Sequence, residues 1–407
     1  MGLNDTPSSE RLNIGFFGMR NAGKSSLINS IAGQQVSLVS DIGGTTTDPV
    51  NKTMELLPLG PVILTDTPGF DDSGALGDLR VKRTLEVLKV CDAAVFVTEN
   101  DTFGNDELKL IGIIKERDIP FFIVRNKADI CPDKTGDILK ALNSQAPGSM
   151  GVFIVSTHEG TGINELKESL ASSLEGTAKK IRYVADLISP SDTVVLVIPI
   201  DSSAPKGRLI LPQQLALRDI LDAGGVCVVT GVERLTKTLD SLKVPPALVV
   251  TDSQVFSKVM DLVPDEIKLT SFSILMARYK GFLDTAVRGA SAIDGLCDGA
   301  RVLISEGCTH HRQCGDIGTV KLPGWIRKHT GCDIDFSFTQ GHGFPDRVEG
   351  YDLVIHCGGC MLNDREIRER MELSERSGVP FTNYGIAIAH MNGILKRCLS
   401  PLNHTPC

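Results

Sequence analysis

The feature that most constrains the fold is a glycine-rich stretch near the N-terminus, Gly18-Met19-Arg20-Asn21-Ala22-Gly23-Lys24-Ser25. It has the spacing G-x-x-x-x-G-K-[ST], follows a β-rich run at residues 13–17, and precedes apolar residues at helical spacing within residues 26–32. In a strand–loop–helix context this spacing creates a concave anion site, because successive backbone N–H groups and the helix N-terminus face one point. We predict that a nucleotide is held by Gly18, Asn21, Gly23, Lys24, Ser25 and Ser26.

Two further motifs complete a nucleotide site. Asp66-Thr67-Pro68-Gly69 follows an apolar run at 62–65, so the Asp66 carboxylate can reach magnesium through water and Gly69 can approach the γ-phosphate. Asn126-Lys127-Ala128-Asp129 follows another buried run, and the Asp129 carboxylate can accept from guanine N1–H and N2–H₂, which adenine cannot match. We therefore predict GTP rather than ATP, with the base held by Asn126, Lys127, Asp129 and Ser156.

The polar, glycine-bearing loop at residues 41–48 is suited to rearrangement when the γ-phosphate and magnesium are bound. Either Thr45 or Thr46 can contact magnesium there, and we favour Thr46, with Ser25 as the other protein ligand of Mg²⁺. A second switch is predicted at residues 70–83. The predicted catalytic residues are Lys24, Thr46, Asp66 and Gly69. Phe70 stands where other GTPases keep a water-orienting glutamine, so unaided hydrolysis should be slow.

With these motifs, residues 11–176 resemble the translation-factor-related GTPases, particularly the branch of the tRNA-modification GTPase and Era-like proteins. The resemblance implies that Asn21 can ligate a K⁺ ion bridging the phosphates. It also implies that hydrolysis is stimulated by potassium or by dimerisation, and that the GTPase acts as a switch.

The order of apolar runs predicts an α/β chain of three domains. In residues 1–177, strands alternate with helices, which is typical of a parallel sheet covered on both faces. Residues 178–290 repeat the rhythm without a catalytic constellation, which favours an interaction or dimerisation role over an undetected small-molecule site. It restarts in residues 291–407, where the predicted strands are 301–305, 334–338, 352–355 and 384–389.

Composition excludes several classes of protein. The longest apolar run, residues 194–200, is far shorter than the ~20 residues of a membrane helix, and the polar N-terminus lacks the apolar core of a secretory signal. Residues 1–176 carry 16 basic and 24 acidic side chains, and no dense basic face for nucleic acid appears. We therefore expect a cytoplasmic protein with neither a membrane nor a nucleic acid partner, whose 11 cysteines are reduced.

Cysteine and histidine cluster late in the chain, in Cys308-Thr309-His310 and His356-Cys357-Gly358-Gly359-Cys360. Both groups follow predicted parallel strands, whose carboxyl ends meet at one edge of a sheet, so three thiolates and two imidazoles can converge. Three thiolates with a fourth, exchangeable position suit a [4Fe-4S] cluster. A structural zinc in a Cys₃His set and buried, unligated cysteines remain open as alternatives.

At this point residues 11–395 resemble the [FeFe]-hydrogenase maturation GTPases, the HydF family, which join a GTPase domain to a dimerisation domain and an iron–sulfur domain. The resemblance implies that Cys308, Cys357 and Cys360 bind a [4Fe-4S] cluster, with His310 and His356 as varying fourth ligands. It also implies a homodimeric scaffold that carries a binuclear iron precursor to apo-[FeFe]-hydrogenase, with radical SAM maturases as other partners. Two alternatives stay open: an RNA- or ribosome-associated GTPase with a structural zinc tail, and an assembly platform with vestigial GTP turnover.

Overall fold

The computed structural model describes residues 7–33, 49–70, 75–130, 135–175, 182–199, 209–308 and 316–402. Internal contacts divide the chain into two compact units, Met1–Ala178 and Lys179–Cys407. In the described part of the chain, no helix combines the length and apolarity that a membrane span requires.

The first unit is a six-stranded sheet with helices on both faces, in the order β2-β3-β1-β4-β5-β6. Only β2 is antiparallel to its neighbour. Its elements are β1 Leu12–Phe17, α1 Lys24–Ala32, β2 Val50–Leu56, β3 Gly60–Asp66, α2 Ala75–Val90, β4 Ala93–Thr98, α3 Asn105–Glu116, β5 Phe121–Arg125, α4 Thr135–Gln145, β6 Val152–Ile154 and α5 Ile163–Glu175.

Burial explains why these runs form a parallel sheet. Every residue of β4 and β5 is buried, as expected of central strands covered on both faces. One core packs α1 and α5 against the sheet, and a second core packs α2, α3 and α4 against the other face. The sequence missed β2, because this edge strand alternates half-buried and exposed residues and contains no continuous apolar run.

The second unit contains two parallel four-stranded sheets, ordered β10-β9-β7-β8 and β12-β11-β13-β14. Its elements are β7 Thr193–Val197, α6 Leu211–Asp222, β8 Val226–Thr230, α7 Leu235–Ser241, β9 Leu248–Thr251, α8 Phe256–Leu262, β10 Leu269–Ser271, α9 Phe272–Tyr279, α10 Leu283–Ala290, β11 Arg301–Glu306, α11 Leu322–Thr330, β12 Asp335–Gln340, β13 Leu353–His356, α12 Asp364–Arg376, β14 Phe381–Asn383, α13 Tyr384–Met391 and α14 Leu395–Leu399.

One predicted strand is wrong. Residues 384–389 lie in the helix α13, and the fourth strand of that sheet is β14, which immediately precedes it. The Asn383 side chain caps the helix by accepting a hydrogen bond from the Ile386 N–H at 2.8 Å. Because α13 is buried almost all round, its apolar run shows no amphipathic periodicity and resembles a buried strand.

Candidate functional site

The backbone of the glycine-rich loop takes conformations that few side chains permit. Gly18 and Gly23 have φ values of 143° and 91°. A Cβ at Gly18 would lie 2.1 Å from the Val97 carbonyl oxygen, and one at Gly23 would lie 2.1 Å from Asn126 Nδ2. Glycine at both positions therefore lets the loop press against the ends of β4 and β5.

Lys24 opens α1 and is 7% exposed, with its Nζ donating to the carbonyl oxygens of Gly18 at 3.1 Å and Met19 at 2.9 Å. The next residue, Ser25, donates from Oγ to Asp66 Oδ2 at the end of β3. The ammonium group, the hydroxyl and the carboxylate thus meet beside the helix N-terminus, where a phosphate and its metal ion would bind.

Asp66 carries the signature of a hard-cation site. Its Oδ1 is buried and has no hydrogen-bond partner in the described part of the chain. Burial raises the pKa of Asp66, and the Ser25 hydrogen bond and the charges of Lys24 and Lys52 only partly oppose that shift. Mg²⁺ is bound through one or two oxygen side chains together with phosphate oxygens, so Ser25 and Asp66 fit it, Asp66 directly or through water.

These groups line a cleft of about 480 Å³. The predicted nucleotide residues that line it are Asn21, Gly23, Lys24, Ser25, Ser26, Asp66, Gly69, Asn126 and Lys127. Sequence reasoning missed Arg20, Val50 and Arg80, which also line it. Arg80 is 9% exposed and lies one helical turn before Thr84, whose Oγ1 donates to the Pro68 carbonyl, so this face of α2 is directed at the Asp66–Gly69 segment.

On the base side, Asn126 joins the two halves of the site. It is 1% exposed, donates from Nδ2 to the Ala22 carbonyl at 3.2 Å, and accepts the Thr157 N–H at 3.3 Å. The exposed Asp129 accepts from Ser156 Oγ at 2.6 Å, and this hydrogen bond is the main reason that the pKa of Asp129 is lowered. An ionised carboxylate at this point is the group that guanine recognition requires.

Some predicted residues lie outside the described residues. Thr45 and Thr46 belong to the undescribed segment 34–48, and residues 71–74 of the predicted second switch are also outside. His310, together with His311 and Cys314, falls in the undescribed segment 309–315. The predicted roles of these residues stay predictions.

The two cysteine segments are neighbours in space. They follow β11 and β13, which pair in parallel with Ser305 opposite His356. The Cys357 Sγ accepts the Gly307 N–H at 3.0 Å and the Gly359 N–H at 3.4 Å. Because Gly307 directly precedes Cys308, this hydrogen bond joins the two loops although they are 50 residues apart.

The three thiols affect one another electrostatically. Burial, followed by the charges of Cys357 and Cys360, raises the pKa of Cys308 to about 12. Burial, followed by the charge of Cys357, raises the pKa of Cys360 to about 12. Such thiols ionise together at neutral pH only when cations compensate them, as the irons of a bound cluster do.

The donor set fits a polynuclear cluster better than a single ion. Among the described residues, no group of three or more His, Cys, Asp or Glu side chains surrounds a position that could hold one metal ion. A [4Fe-4S] cluster takes one thiolate at each iron, so its ligands stand further apart, and N–H groups directed at the sulfur tune such clusters. The N–H groups of Gly307 and Gly359 supply that contact to Cys357.

The predicted ligand His356 is engaged at both ring nitrogens. It is fully buried, its Nδ1 lies 2.8 Å from the Cys357 carbonyl oxygen, and its Nε2 lies 2.9 Å from Arg370 Nη1. Burial, and then the Arg370 charge, lowers the pKa of His356 to about 3. The imidazole is therefore neutral, donating from Nδ1 and accepting at Nε2, and it would have to release one partner to ligate iron.

Sequence reasoning missed Arg370, which ties together the strand ends beneath the cysteine segments. Besides His356, its guanidinium donates to Ser305 Oγ at 3.4 Å, the Gly341 carbonyl at 2.5 Å and Glu366 Oε1 at 2.5 Å. The spacing of Glu366 and Arg370, four residues apart on α12, was the available signal.

Comparison with known proteins assigns all three segments. Residues 13–127 match a family described as 50S ribosome-binding GTPase, residues 183–281 match the hydrogen maturase F dimerization domain, and residues 284–401 match the hydrogen maturase F tetramerization domain.

Curated relatives match only the N-terminal part. GTPase Der of Wolinella succinogenes is 30% identical over 189 residues, covering 44% of this chain and 39% of that protein. GTPase Era of Lactobacillus delbrueckii is 30% identical over 164 residues, covering 40% and 54%. Among solved structures, an Era variant from Aquifex aeolicus bound to GDP and aluminium fluoride is 20% identical, covers 54% of this chain and 92% of that chain, and has a TM-score of 0.35. The chain thus spans about half or less of the curated relatives' length.

The fold and the cleft define a P-loop GTPase domain joined to oligomerization domains, and the predicted fold class is confirmed. The two hydrogen maturase F domains together match more than half of the chain. The chain belongs to the HydF family of hydrogenase maturation GTPases, which confirms the family predicted from the motifs.

Proposed function

We propose that this cytoplasmic protein hydrolyses GTP with Mg²⁺ and holds a [4Fe-4S] cluster and a binuclear iron precursor in its C-terminal region. It delivers the precursor to apo-[FeFe]-hydrogenase and receives it with the help of radical SAM maturases. The three domains keep separate tasks: GTP hydrolysis in 1–177, dimerisation in 178–290 and cluster binding in 291–407. The observation that carries the cluster half is the hydrogen bond from the Gly307 N–H to the Cys357 Sγ.

For hydrolysis, Lys24 and the loop N–H groups hold the β- and γ-phosphates while Ser25, Asp66 and Thr46 complete the magnesium site. Magnesium, when bound, neutralises charge on the phosphate oxygens. Gly69 places its N–H at the γ-phosphate, and Asp129 with Ser156 selects guanine. Buried Phe70, 4% exposed, offers no polar group to orient the attacking water, so we propose that K⁺ bound at Asn21 or a partner surface accelerates the step.

For the cluster, Cys308, Cys357 and Cys360 supply the thiolates. The cluster would supply an iron with an exchangeable coordination position. His356 orients the Cys357 loop through its Nδ1–H bond to the Cys357 carbonyl, and Arg370 holds the imidazole by donating to Nε2. His310 stays a candidate for the fourth ligand.

Oligomerization is supported by the edge of the first sheet of the second unit. That sheet ends at β8, where Val226 and Val229 are 49% and 48% exposed. An edge strand with exposed apolar side chains is a template for pairing with another chain. We propose that a second copy covers β8 in the homodimer.

The test uses the full chain, purified and reconstituted anaerobically with iron and sulfide, with Cys308→Ala and the exposed Cys297→Ala as matched variants. We expect an absorption band near ~400 nm and iron binding in the wild type and Cys297→Ala. Cys308→Ala should lose hydrogenase activation and keep GTP hydrolysis. Equal activation by Cys308→Ala contradicts the carrier role, and stoichiometric zinc without the absorption band favours the RNA- or ribosome-associated alternative.

A further inference from the structure

A lysine is completely buried beside the cysteine segment. Lys280 follows α9, and none of its side-chain surface is exposed. Its Nζ donates to the Leu362 carbonyl at 3.0 Å. The same Nζ lies 3.0 Å from Asp364 Oδ1, an ion pair by distance whose geometry falls short of a hydrogen bond.

Lys280 reaches this position from the other sheet. It belongs to the segment that matches the dimerization domain, whereas Leu362 and Asp364 belong to the segment that matches the tetramerization domain. The two partners follow Cys360 by two and four residues, so the lysine fixes the C-terminal end of the cysteine segment.

The helix that carries Lys280 forms one wall of the cysteine site. A Cβ at Gly358 would lie 3.7 Å from Ser273 Oγ and 3.8 Å from Met276 Cγ, both on α9. Cys360 packs against a core that includes Phe272 and Met276. The iron–sulfur site therefore includes part of the segment 183–281 in its wall.

Burying an ammonium group costs several kcal/mol unless anionic and polar partners compensate it. A well-packed apolar side chain would satisfy a purely structural need at lower cost. The Lys280 charge also reaches the site, because it is the leading opposite charge that favours the Cys360 thiolate against burial and Cys357. A cation kept here at such a cost suits a site that must hold negative charge.

We propose that Lys280 is a positioning residue of the cysteine site, whose charge stabilises an anionic, thiolate-ligated iron–sulfur centre and whose contacts hold the Cys360 end of the loop. This inference rests on the proposed cluster function. It makes the dimerization segment a contributor to cluster binding and not only to assembly.

The test compares the full-length wild type, Lys280→Met, Lys280→Arg and Lys258→Met, a change at an exposed lysine of α8, after anaerobic reconstitution. Iron content, thermal unfolding and the midpoint potential of the cluster are measured, the last by redox titration followed by electron paramagnetic resonance. Removing a positive charge disfavours the more negative reduced cluster, so Lys280→Met should have a more negative midpoint potential than the wild type. Lys280→Arg should remain near the wild type, and Lys258→Met should be unchanged.

Every result decides. Loss of iron in Lys280→Met with retention in Lys280→Arg supports the proposal. An unchanged potential with full iron content in Lys280→Met overturns it. Equal loss of iron in both variants, with equally lowered unfolding temperatures, also overturns it, because a space-filling role explains that outcome. A wild type that binds no cluster refutes the proposed function itself.

Discussion

Replacing Asp129 by asparagine tests base recognition with an almost isosteric change. In the wild type, Ser156 Oγ occupies one acceptor site of the carboxylate at 2.6 Å. A carboxylate has about four such sites, so about three remain for the two guanine donors, N1–H and N2–H. Each charge-assisted hydrogen bond contributes about 1.5–3 kcal/mol.

The two bonds together contribute about 3–6 kcal/mol, and every 1.4 kcal/mol is about tenfold in affinity. We therefore expect Asp129→Asn to weaken GDP binding by about 100- to 10,000-fold. The asparagine amide can donate to the C2 carbonyl of xanthine and accept its N1–H. Xanthosine diphosphate should thus bind the variant more tightly than GDP does.

The assay is nucleotide titration by calorimetry at neutral pH, with Asp137→Asn, an exposed change on α4, as the control. GDP affinity within about threefold of the wild type in Asp129→Asn would refute the hydrogen-bond reasoning.

The pH dependence gives a second check. Because the Ser156 hydrogen bond lowers the pKa of Asp129, the carboxylate stays ionised below the ordinary aspartate range. The affinity advantage of the wild type over Asp129→Asn should persist as the pH falls from 7 to about 5 and disappear only as the pH passes through the lowered pKa. A ratio of the two affinities is used because titration of the phosphates then cancels.

Three other changes test the remaining parts of the structure. Arg80→Gln should lower the GTP hydrolysis rate by about tenfold or more, because a guanidinium facing the phosphates is lost, whereas Arg83→Gln, exposed on the same helix, should leave single-turnover rates unchanged. Arg370→Met leaves Glu366 and the His356 ring unpaired, at a cost of about 3–5 kcal/mol, so thermal unfolding of the second unit should drop by about 6–20 °C; an equal drop in the exposed control Arg376→Met would contradict this account. Val229→Lys at the edge of β8 should shift light-scattering mass toward the monomer, while Val244→Lys, 71% exposed outside that strand, should not; an unchanged mass for both would place the dimer contact elsewhere.

Local chemistry was readable from contiguous residues. Residues 18–25 specify a phosphate loop, because an anion site made from backbone N–H groups depends on the conformation of one short segment. The central strands were readable for a similar reason, since complete burial demands unbroken apolar runs such as β4 and β5. The β2 edge and the helix α13 escaped, because the first lacks that run and the second imitates it.

The state of each site residue, in contrast, depends on groups brought from far along the chain. His356 is a metal ligand by residue type, but Arg370 and the Cys357 carbonyl engage both of its nitrogens. Asp66 belongs to a recognisable motif, but its orphaned Oδ1 and raised pKa follow from burial. Lys280 meets Leu362 across 82 residues, and no local pattern signals a contact of that kind. Desolvation and long-range pairing are properties of the packed chain, so amino-acid order establishes the chemical groups present while packing establishes which of them are charged, paired and within reach of one another.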